Sequence, residues 1–283
     1  MFRICAFQLR RSLTSPKVCV ALLIGAVMQI VSVTDLLDYS KAAGQPLNIF
    51  EGFVYFNCDR FTAAAAFLGL LFLASDIPFT SQNETFTLMR VSRRKWVLGK
   101  AMYLLCACVL YYAVVFVFGM LFLSENACFA SSWSGPIRQL VSGGAPGAFN
   151  VSFPHGHIIG AFTPMEAGAL SYLLSVCYGL VMCLLVFCLN MRLPYNMAYF
   201  SAIAVHVVNY RLLTAYSHGY SRWSLLGGSI LSYHSIGGSY GMGLYFTLGQ
   251  WFCIYGGLLA LLLVLLLWAV QGYDFKITVG DKQ

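Results

Sequence analysis

Along this chain, six stretches stay apolar for close to 20 residues or longer, and short polar segments separate them. The runs fall at about 18–37, 54–75, 101–123, 164–189, 195–213 and 244–270. A bilayer core about 30 Å thick needs roughly 20 residues of helix, so each run has the length of a membrane span. The runs are continuous and lack the alternating in-out pattern of barrel strands, so they predict helices. The second run is the least regular, because Asp59 and Arg60 shorten its uninterrupted part to 61–75 and suggest a re-entrant or interfacial start. The fourth opens on Thr163-Pro164-Met165-Glu166: an N-cap residue, a proline at the first helical position and a capping-box glutamate. Before the first run, residues 1–17 predict an amphipathic helix at the membrane surface, with Phe2, Ala6, Leu9 and Leu13 on one side and Arg3 and Arg10 opposite.

Composition agrees with a lipid-facing surface. Of 283 residues, 59% are hydrophobic and 10% charged, too few charges to cover a water-soluble globule of this size. The net charge of +7 is concentrated just beyond the ends of the apolar runs, which reads as membrane topology and not as nucleic-acid binding. Placing the N-terminus inside puts Arg3, Arg10, Arg11, Lys17, Arg90, Arg93, Arg94, Lys95, Lys100, Arg192, Lys276 and Lys282 on the inner side. Lys41, Arg60, Arg138, Arg211 and Arg222 fall outside. The expectation is an all-α integral membrane protein, a single transmembrane domain over 1–283 with six transmembrane helices, N-in and C-in. Neither outer segment, 124–163 or 214–243, reads as a soluble domain. A cleaved signal peptide is disfavoured by the length of the first run and by the lack of an A-x-A site after it. The ten cysteines contain no zinc-type spacing and read mostly as packing residues. Cys58 and Cys128 fall on the same outer side and are the candidates for a bridge.

The inner loop 76–100 differs from the rest. Pro78 ends the preceding helix, and 82–90 can form a short surface helix with Phe86 and Met89 on one face. Ser92 is positioned to cap the next helix, with Trp96 at the aromatic belt and Lys100 near the headgroups. On Glu84, Thr85, Leu88, Ser92-Arg93, Trp96 and Gly99-Lys100, this loop resembles the permease subunits of the ABC-2 type exporter family. Glu84 stands where that family often has Gly before the Thr, and Val91 where it often has Pro before the Ser. The six runs, the basic amphipathic start and the absence of a large domain extend the resemblance along the whole chain.

The resemblance implies a half-transporter in a bacterial cytoplasmic membrane, with a coupling helix between spans 2 and 3. That helix would engage a separate ABC ATPase subunit, itself dimeric, through Gln82, Glu84, Thr85, Leu88, Arg90, Ser92 and Arg93. A second permease copy or a sister permease would complete the substrate path. The chain contains no GxxxxGK[ST], so no cofactor is expected on it, and ATP with Mg would bind the partner. It also lacks HExxH, and only scattered single acids and histidines lie near its interfaces, which disfavours an enzyme.

The fifth run carries Asn196, Tyr199, Ile203, His206 and Tyr210 at 3-4-3-4 spacing, with Asn209 beside them. This polar face has two readings: lining of the path or a subunit interface, or hydrogen bonding between helices of one subunit. Two other functions remain open on sequence. A gradient-driven transporter or channel would need an ion gradient and no ATPase. A non-transporting scaffold or sensor would carry no flux.

Overall fold

The computed structural model describes residues 2–75, 77, 91–143, 151, 156–193, 195–214, 218–236 and 245–272, the side chains of 195, 196 and 218 excepted. In chain order its helices are α1 (Phe2–Leu13), α2 (Pro16–Ala42), α3 (Glu51–Cys58), α4 (Arg60–Ala74), α5 (Arg93–Leu123), α6 (Gly135–Ser142), α7 (His157–Ala161), α8 (Pro164–Asn190), α9 (Tyr195–Thr214), α10 (His218–Ser221), α11 (Leu225–Ser229) and α12 (Leu248–Ala269). Two two-residue strands, β1 (Leu47–Asn48) and β2 (Ala127–Cys128), pair in parallel, Leu47 opposite Ala127 and Asn48 opposite Cys128.

Local chemistry explains where the long helices begin. Ser15 caps α2, its hydroxyl accepting from Lys17 N at 3.3 Å, with Pro16 at the first helical position. Thr163 and Glu166 close a reciprocal capping box at the start of α8, as the Thr-Pro-Met-Glu order predicts. A second box, Thr247 with Gln250, opens α12. With 27, 31, 27 and 22 residues, α2, α5, α8 and α12 extend about 33–46 Å at 1.5 Å per residue. These four helices are long and apolar enough to cross a membrane. The chain is therefore a multi-pass, all-α membrane protein. The 20 residues of α9 match a bilayer in length, but Asn196, His206, Asn209 and Arg211 dilute its apolar character below that of the other four.

The second run is where expectation and structure part. A single helix over 54–75 is replaced by α3 and α4, which meet at a bend of 95°. Asp59 makes the break: its backbone is extended (φ −81°, ψ 124°), and its carboxylate accepts from Thr62 N at 2.8 Å to cap α4. The Thr62 hydroxyl donates to Phe56 O at 2.9 Å, tying the two pieces together. Non-helical backbone at membrane depth is tolerated where protein surrounds it, and all eight residues of α3 are buried.

The close approach of α4 to α2 and α5 depends on glycine. A Cβ on Gly69 would sit 2.8 Å from Ala21 O and 2.6 Å from Tyr111 Oη. Tyr111 in turn donates its hydroxyl to Ala66 O. Backbone cannot yield as a flexible side chain can, so Gly69→Ala is expected to destabilise the bundle by about 1–3 kcal/mol. Thermal unfolding in detergent checks this as a lowered Tm.

The bundle has two chemically distinct ends. At one, Lys17 Nζ reaches Ser75 Oγ at 2.5 Å, Asn190 Nδ2 donates to Ser75 O and Ile77 O, Ile4 rests on Gly99, and Arg192 stacks on Trp268 at 4.5 Å. At the other, Asn126 Nδ2 donates to Ser40 Oγ at 2.9 Å and Lys41 pairs with Glu125 at 2.9 Å. The β1–β2 pair and α6 close that second end. All ten cysteines are free thiols, so the candidate Cys58–Cys128 bridge is not formed: Cys58 is buried beside Ser232, and Cys128 lies in β2.

Candidate functional site

Gln82, Glu84, Thr85, Leu88 and Arg90 lie outside the described residues. Ser92 and Arg93 flank that segment and are described. Ser92 occupies the N-cap position of α5 with extended backbone, but its side chain makes no capping bond. Arg93 instead fastens the start of α5 to the end of α12, Nη1 donating to Gln271 O at 2.8 Å and to Val270 O at 3.4 Å. A guanidinium there satisfies terminal carbonyls and faces the negative end of the helix dipole. Two expectations are corrected nearby. Trp96 and Lys100 are buried, 1% and 2% exposed, not set at an aromatic belt and among headgroups. The cause is that α1 lies over the first turns of α5, Ile4 resting on Gly99. Lys100 Nζ sits 5.5 Å from the centre of the Trp96 ring, a cation–π geometry within a covered pocket.

The predicted polar face on α9 is real, and its centre turns into the chain. His206 is held between Tyr178 of α8, whose hydroxyl lies 2.7 Å from Nδ1, and Ala64 O of α4, 3.2 Å from Nε2. Phe67 packs its ring 4.6 Å from the imidazole and 4.9 Å from Tyr178. Asn209 donates to Val205 O at 2.9 Å and accepts from Leu225 N at 2.7 Å, while its own carbonyl accepts from Ser224 Oγ at 2.8 Å. Asn209 therefore caps α11. Tyr199 and Tyr210 are half-buried at the edge of this face, and the Asn196 side chain lies outside the described residues. The opposite side of α9 exposes Met197, Phe200, Val207 and Val208. His206 and Asn209 thus hydrogen-bond between elements of one subunit, the second of the two sequence readings. Both ring nitrogens of His206 are occupied, so a ligand could reach them only by displacing Tyr178 or the Ala64 carbonyl.

His206 belongs to a longer polar seam around the broken helix. Gln29 Nε2 donates to Gly52 O at 3.1 Å from α2, and Tyr111 reaches Ala66 O from α5. Asn57 Nδ2 donates to Ser229 O at 3.0 Å, and its side-chain oxygen accepts from Ser175 Oγ at 3.2 Å. Carbonyls of α3 and α4 already bonded within their helices offer a second lone pair, and side chains of α2, α5 and α9 take it. Tyr178 and Ser175 carried no sequence signal of their own: each is one polar residue in an apolar run, given meaning only by what faces it.

Glu51 was equally unmarked. Fully buried, it accepts from Asn48 N at 2.8 Å and from Ser134 N at 2.6 Å, with Arg138 nearby in charge. Asn48 extends the tie, its side chain donating to Ser132 O at 3.3 Å and accepting from Phe50 N at 3.2 Å. One carboxylate thus joins the turn before α3 to the segment before α6.

His234, in the segment between α11 and α12, is also fully buried, with Nδ1 donating to Ile230 O and Leu231 O at 3.1 and 3.2 Å. Burial pushes its imidazole down from 6.5 to about 4; the two carbonyls oppose this and His157 reinforces it. A depressed histidine contributes stability that is complete above the ordinary value and is lost as pH falls through about 4. Thermal stability should therefore decline between about pH 6.5 and 4, by at most roughly 3 kcal/mol from this group. His234→Asn, melted across the same range, should flatten that part of the curve. Among the described residues, no three His, Cys, Asp or Glu side chains gather to hold a metal ion.

These features define a class: a multi-pass helical membrane protein whose interior is organised by a broken helix and a buried polar seam. Comparison with family models, with curated proteins and with solved structures returned no match.

Proposed function

We propose that this chain is the membrane-spanning permease subunit of an ATP-driven ABC-2 type export system, with six spans and both ends in the cytoplasm of a bacterial cell. The broken pair α3–α4 is the second span and α9 the fifth. A separate ATPase subunit docks at 82–94, hydrolyses ATP and transmits its closure to the bundle. A second copy or a sister permease completes the path, whose wall includes the outer edge of α9 near Tyr199 and Tyr210.

The observation that carries this reading is the ordered series Glu84, Thr85, Leu88, Ser92-Arg93, Trp96 and Gly99-Lys100, taken with its anchorage. The segment's described flanks are anchored, Ser75 by Lys17 and Arg93 to Gln271. A push on it would therefore bear on α1, α2, α4, α5 and α12 together. Charge supports the orientation. Among the described residues, the end that holds these contacts carries Arg3, Arg10, Arg11, Lys17, Arg93, Arg94, Lys95, Lys100 and Arg192 and no Asp or Glu, the pattern of a cytoplasmic face.

Photo-crosslinking tests the proposal. A photoreactive amino acid at Phe86 or Met89, irradiated in native membranes, is expected to capture a subunit bearing a P-loop. Repeated capture of lipid alone, with a control site on the same protein working, would remove the coupling role.

A further inference from the structure

We propose that α1 and the first turn of α5 form a docking surface for anionic phospholipid, held by the headgroups of the leaflet at that end of the bundle. This inference does not depend on the exporter reading. At 100° per residue, α1 divides into three sectors. Ile4, Cys5, Gln8 and Ser12 face α5: Ile4 fills the space over Gly99, Ser12 accepts from the Tyr103 hydroxyl at 2.8 Å, and Cys5 lies 3.9 Å from Cys106, sulfur to sulfur. A second sector, Phe2, Ala6 and Leu13, faces outward, with Phe2 73% and Leu13 58% exposed. The remaining arc carries Arg3, Phe7, Arg10 and Arg11, all exposed, with Arg3 and Arg10 adjacent to the second sector and not opposite it as the sequence predicts.

That order fits a helix lying in the interface, its apolar sector in the acyl boundary and its arginines at headgroup depth. Docking on α5 fixes the rotation of α1, so the arginines cannot turn away from that level. Arg94 and Lys95, exposed on the first turn of α5, extend the positive surface. With no acidic side chain among the described residues at this end, nothing described there neutralises it. A soluble polyanion would match the charge but leave Phe2 and Leu13 in water. A lipid with an anionic headgroup satisfies both sectors at once.

The test uses the full chain in nanodiscs of phosphatidylcholine containing spin-labelled phosphatidylglycerol or spin-labelled phosphatidylcholine. The wild type is expected to restrict the phosphatidylglycerol probe in preference. Arg3→Gln with Arg10→Gln should lower that preference, on the order of fivefold per arginine removed, while Arg3→Lys with Arg10→Lys retains it. Raising the salt to about 1 M should weaken the wild-type preference without any substitution, because screening then acts within about 3 Å. No preference in the wild type, a preference indifferent to salt, or one that survives the glutamine pair would each overturn the proposal.

Discussion

Glu84→Arg is expected to abolish outward transport while the protein still inserts into the membrane at the wild-type level. In the proposed system, Glu84 is the acidic residue of the coupling helix, seated in a cleft of the ATPase. Reversing its charge introduces repulsion and leaves the partner's groups without a counter-ion, which at a buried contact costs about 2–5 kcal/mol. That corresponds to a loss in productive docking of roughly thirtyfold to several thousandfold. The bundle should be untouched, because its helices are held by contacts elsewhere: Tyr111 on Ala66, Gln29 on Gly52, His206 between Tyr178 and Ala64. Flux in inverted vesicles containing the whole system, read beside membrane fractionation, separates the two effects. Full transport in this variant would argue strongly against a coupling role for the segment.

Glu51→Ala is expected to produce the largest loss of stability of any single truncation at the end of the bundle that holds the β1–β2 pair. The substitution removes the acceptor from two buried backbone N–H groups, those of Asn48 and Ser134. Each stranded donor costs about 1–3 kcal/mol, so the sum is about 2–6 kcal/mol before the cavity is counted. Loss should begin locally, at the β1–β2 pair and α6, which the Asn48 side chain and the two-residue ladder would then hold without the carboxylate. Limited proteolysis within 127–142, together with a lowered Tm, would show it. Glu51→Gln keeps one carbonyl acceptor and should fall between wild type and alanine. Wild-type melting in Glu51→Ala would mean that this end of the bundle is held by other contacts.

How much of this was legible beforehand follows from the range of each interaction. The helices α2, α5, α8 and α12 are announced by apolar runs long enough to span a bilayer, a property of the chain alone. The capping box at Thr163 and Glu166 is equally local, four residues in a row. The break at Asp59 was foreshadowed by two charges in an apolar run, but its 95° angle depends on what encloses α3. The pairing of Leu47 with Ala127 joins residues 80 positions apart over two-residue strands, too short to leave a periodic trace. Burial of Lys100 is similar: a lysine near the predicted start of a span reads as a headgroup anchor until α1 is found lying over it.

The candidate site divides the same way. The 3-4-3-4 spacing revealed a polar face on α9, because helical periodicity is written in one segment. Which way that face points is decided by Tyr178, Ala64 and Leu225, from three other elements. For the coupling segment, residue order supports the exporter proposal, and its two flanks, Ser75 and Arg93, are anchored at one corner of the bundle.

The most direct test is to purify the tagged chain from its native membrane in a mild detergent and identify what comes with it. The account predicts recovery of a P-loop ATPase, lost when Glu84 and Arg90 are substituted. Purification of the chain alone under several mild detergents, or only with proteins that lack a nucleotide site, would contradict it.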